Sequence, residues 1–68
     1  MNISIRNHII NNFKNSTEED IKSSITESIK DNEEVTLPGL GVFFEILWKE
    51  CSDDEKSNII NHLKEGLK

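Results

Sequence analysis

The 68-residue sequence predicts a small all-α domain of about four short helices, with a Pro-Gly turn before the third. Three observations carry that expectation. Apolar residues recur at three- and four-residue spacing in separate stretches. Two of those stretches open on a Ser followed three residues later by a Glu, the pattern of a capping box. The only proline and two of the three glycines fall together in mid-chain, where they interrupt the helical pattern.

Ile5, Ile9, Ile10 and Phe13 place a first short amphipathic helix. Asn11, Asn12 and Asn15 weaken its intrinsic propensity, so tertiary packing must hold it. Ser16 is the expected N-cap of a second helix, with Glu19 completing the box and Glu18, Glu19 and Asp20 at the positive end of the helix dipole. Ile21, Ile25 and Ile29 follow at four-residue steps, Lys30 sits near the negative end, and Asp31 to Glu34 end the helix. From Val35 to Gly41, Pro38 lacks a backbone donor and pushes Leu37 towards extended geometry, so no helix is expected to run through. Gly39 and Gly41 permit a tight turn or a close backbone approach.

The next stretch has two readings. Val42, Phe44, Ile46 and Trp48 alternate as in a strand, whereas Leu40, Phe43, Phe44, Leu47 and Cys51 fit a helix. The favourable i,i+4 pair Glu45–Lys49 and the scarcity of β-branched residues decide for helix. Ser52 caps a last helix, with Asp53 and Asp54 in its first turn and Glu55 closing the box. Its stripe is Ile59, Ile60 and Leu63, and Gly66 is placed at C′ before Leu67. An Ile-Ile-Asn core shared by Asn7–Lys14 and Ser57–Lys64 is read as coincidence between two amphipathic helices.

Composition bounds the function. One domain, 1–68, fills the chain, and with 34% apolar residues its core is thin. A monomer is therefore marginal, and a partner or self-association is expected to complete it. The net charge is −5, and the eight Lys and Arg are scattered singly, with Lys14, Lys22 and Lys30 eight residues apart. That distribution opposes autonomous binding to phosphate backbones or anionic membranes. A single cysteine, Cys51, fits a reducing compartment, and Met1 to Arg6 lack a signal-peptide pattern, so a cytoplasmic type of protein is expected.

No constellation carries chemistry. Cys51, His8 and His62 lie at no metal-ligand spacing, and Cys51 is read as a buried, inert thiol on the third stripe. The acidic clusters Glu18-Glu19-Asp20 and Asp53-Asp54-Glu55 lack the alternating ligands of a calcium loop and belong to helix starts. Pro38-Gly39-Leu40-Gly41 matches no phosphate-binding fingerprint. No catalytic residue, cofactor or metal is assigned. Phe43, Phe44 and Trp48 cannot all face one way on a helix, so some of this aromatic group is expected at an interface.

The run Leu37-Pro38-Gly39-Leu40-Gly41-Val42-Phe43-Phe44-Glu45, with Trp48 three residues on, closely resembles the central motif of the small acid-soluble spore protein I family. Looser likeness covers Arg6 and His8, the acidic Asp31-Asn32-Glu33-Glu34, and the closing Leu63 to Lys68. The resemblance implies a non-enzymatic protein made in the forespore of a spore-forming Firmicute and held in the spore core. Its action would be packing or protein–protein contact, with itself (a homodimer) or another spore protein as partner, and neither nucleic acid nor membrane expected. Leu37, Pro38, Gly39, Leu40, Gly41, Phe43, Phe44, Glu45 and Trp48 are then the motif and the candidate interaction surface. The major α/β-type spore proteins that coat DNA have motifs not found here.

A second likeness sets the alternative. Two helices followed by Glu34 to Phe43 are similar to the histone-like DNA-bending proteins, which implies a short strand or hairpin around 35–46 before a C-terminal helix. A nucleic-acid-associated role would follow, using a local basic face around Arg6, Lys14 and Lys49. The chain departs from that family where its function lies: it has no basic β-arm, no arm-tip proline, and a negative charge.

Overall fold

A computed structural model describes residues 4–68, and among these there are four α-helices and no strand. Helix α1 is Ser4–Phe13, α2 Glu18–Asp31, α3 Leu37–Glu50 and α4 Asp53–Gly66, with a 3-10 turn, Glu34–Thr36, leading directly into α3. The all-α expectation holds. The strand or hairpin around 35–46 is overturned, because those residues form the 3-10 turn and most of α3.

The helix starts follow capping chemistry, with one shift. Ser52 builds the expected box: its hydroxyl accepts the Glu55 N–H at 3.2 Å, and the Glu55 carboxylate accepts the Ser52 N–H at 2.8 Å. Helix α2 is capped by Thr17, not Ser16. Thr17 is extended (φ −77°, ψ 166°) and its Oγ1 accepts the Asp20 N–H at 3.1 Å. Ser16 is engaged elsewhere, its N–H donating to the Phe13 carbonyl at 3.1 Å and closing the end of α1. Helix α2 ends on Asn32, left-handed at φ 55°, a geometry Asn tolerates better than most residues.

The Pro-Gly segment is the main correction. Pro38 lies in the first turn of α3, where its missing N–H would have had no intrahelical partner. Leu37, expected to be extended before a proline, is helical at φ −60°, ψ −40°. Neither Gly39 nor Gly41 makes a turn, since no glycine has a positive φ. The chain reverses instead at Asn32 and through the 3-10 turn. There the Thr36 hydroxyl donates to the Glu33 carbonyl at 2.8 Å and reaches the Ser28 carbonyl at 3.4 Å. Gly66 is likewise the last residue of α4 and not a left-handed cap; Leu67 follows, its N–H bonded to the Leu63 carbonyl.

Packing is led by α1 against α3. Phe13 meets Phe43 edge to face, with ring centroids 5.0 Å apart and planes at 76°. Ile9 lies over Gly39, its Cδ1 3.5 Å from where a Cβ would stand, so the expected close approach is real although the turn is not. Among the described residues only Val42, at 9% exposure, is buried. The Cα radius of gyration is 13.1 Å, against about 11 Å for a compact chain of this length. The helices are thus packed less tightly than in a compact chain of this length.

Candidate interaction surface

Helix α3 is apolar on nearly every side. Only Glu45, Lys49 and Glu50 are charged among its fourteen residues, and a helix of that kind belongs in the middle of a bundle. Here it is covered on one flank by α1, while Leu37, Phe44, Ile46 and Leu47 remain exposed.

The uncovered side of α3 borders an open groove of about 530 Å³ whose floor and walls are apolar. Leu40, Phe43, Phe44 and Leu47 come from α3, Ile9, Ile10 and Phe13 from α1, and Ile21 and Ile25 from α2. The register explains the convergence: positions 40, 43, 44 and 47 fall on one face of a helix, as do 9, 10 and 13, and 21 and 25. Phe44 and Leu47 line the groove yet stay 42% and 48% exposed. A smaller apolar recess continues round α3 on the α4 side, between Phe44 and Trp48 on one element and Ile60 and Leu63 on the other. There the Phe44 and Trp48 rings stack at 5.8 Å, and Lys56 Nζ lies 5.3 Å from the Trp48 ring centroid.

An ion pair ties α1 to α3. Arg6 donates from Nε to Glu45 Oε1 at 2.6 Å and from Nη2 to Oε2 at 3.0 Å, a two-pronged contact across 39 residues of sequence. The Arg6 hydrogen bond holds the Glu45 carboxyl below its usual range; partial desolvation opposes this, and the positive charges of Arg6 and Lys49 add to it. Arg6 is raised in turn, chiefly by the same hydrogen bond. The local pair expected between Glu45 and Lys49 is thus superseded by a tertiary one.

The motif residues are divided between roles. Gly39 and Phe43 meet α1, Leu40 lines the groove, Phe44 and Trp48 form an outward aromatic pair, and Glu45 holds Arg6. Leu37 and Pro38 are exposed at the start of α3, and Gly41 faces open space. Left out of the candidate set from sequence were Ile9, Ile10, Phe13, Ile21, Ile25, Ile46 and Leu47, all of which line the groove. Their signal was present as apolar stripes, which do not reveal which stripes leave a gap between them. Cys51 is half-buried and ends α3 in extended geometry, so it does not continue the buried stripe. Among the described residues no group of His, Cys, Asp and Glu is placed to hold a metal ion, and no helix is long and apolar enough to cross a membrane.

Fold and surface together define a small acidic helical module whose conspicuous feature is an uncovered apolar helix. The sequence profile described as small, acid-soluble spore protein I matches residues 3–67. Relatives of that name span the whole chain. The protein from Bacillus velezensis is 40% identical over 68 residues, covering 100% of this chain and 96% of its own length. The one from Halalkalibacterium halodurans is 37% identical over 67 residues, 98% of each chain, and that from Bacillus cytotoxicus 35% identical over 68 residues, 100% of this chain and 97% of its own. The chain belongs to the small acid-soluble spore protein I family, a family of small spore proteins not known as enzymes. No solved structure shows a significant match.

Proposed function

We propose that this chain is a non-catalytic protein of the spore core, made in the forespore, that acts by packing against another protein. The observation that carries this reading is α3, apolar on nearly every side and left open along Leu40, Phe44 and Leu47. A helix exposed in that way is unfavourable for an isolated chain and favourable for one whose contact covers it. Membership of a spore protein family supplies the setting.

The nucleic-acid reading has less support. Of the three cations that would make its basic face, Arg6 is engaged by Glu45, and the Glu45 carboxylate also lies within the field of Lys49. Part of that positive charge is therefore already neutralised by Glu45, and the net charge of −5 opposes phosphate approach.

Mass spectrometry of vegetative cells and of purified spore extracts tests the proposal. The chain is expected in the spore fraction, appearing as forespores develop. Detection in vegetative cells with none in spores would remove the proposed role. Titration of duplex DNA at low salt tests the second reading, which is lost if micromolar protein leaves the duplex free.

A further inference from the structure

We draw no further inference here: the strongest candidate, the apolar groove between α1, α2 and α3, is an unpartnered face and nothing in the structure shows what covers it.

Discussion

At Thr17 and Ser52 a hydroxyl oxygen accepts a backbone N–H that would otherwise have no partner, and each bond fixes where a helix begins. Thr17→Ala and Ser52→Ala should each cost about 1 kcal/mol, whereas Ser16→Ala should stay within about 0.5 kcal/mol. Urea denaturation read by circular dichroism ranks the three; a dominant cost at Ser16 would contradict the cap assigned here. Sequence is ambiguous at this point, because Ser16 and Thr17 are both followed three residues later by an acid. The tie is broken by the Ser16 N–H, which the end of α1 uses. The aromatic residues were more legible. Phe43 and Phe44 are about 100° apart on a helix, so both border the groove while their rings find different partners, Phe43 on Phe13 and Phe44 on Trp48.

Helix against helix, the α1–α3 contact combines an aromatic pair, a glycine approach and the Arg6–Glu45 ion pair. Because Glu45 titrates below its ordinary 4.5 when folded, its contribution to stability is complete above that pH. It is lost as pH falls through the depressed value. Arg6→Gln should therefore lower the urea midpoint at pH 7, with the gap from wild type narrowing below pH 4.5 and in high salt. Both side chains remain in contact with solvent, so the gap will be small. A gap unchanged from neutral to strongly acidic pH would show that Arg6 acts by packing of its stem alone. Four helices and their approximate limits could be read from periodicity and caps. The start of α3 could not, because a proline fits the break after one helix as well as the first turn of the next, and spacing alone does not choose between them. Nor could the groove, since it depends on how far α2 stands from α3, a distance that no residue spacing encodes.

For the molecule as a whole, α3 is built for an interior that one copy does not supply. Only Val42 is buried among the described residues, and eleven large apolar side chains are exposed, from Ile5 to Leu67. The sequence foretold the deficit through its low apolar content; the structure locates it along Leu40, Phe44 and Leu47. Pairing of this chain with itself would make thermal stability depend on concentration, because mass action favours a paired state. The decisive measurement is the thermal midpoint of the full chain over a hundredfold range of concentration. For a pair of 68-residue chains the midpoint should rise by about 5 °C for each tenfold increase. A cooperative transition whose midpoint stays fixed across that range would show that one copy is stable with its groove open, and would contradict the account.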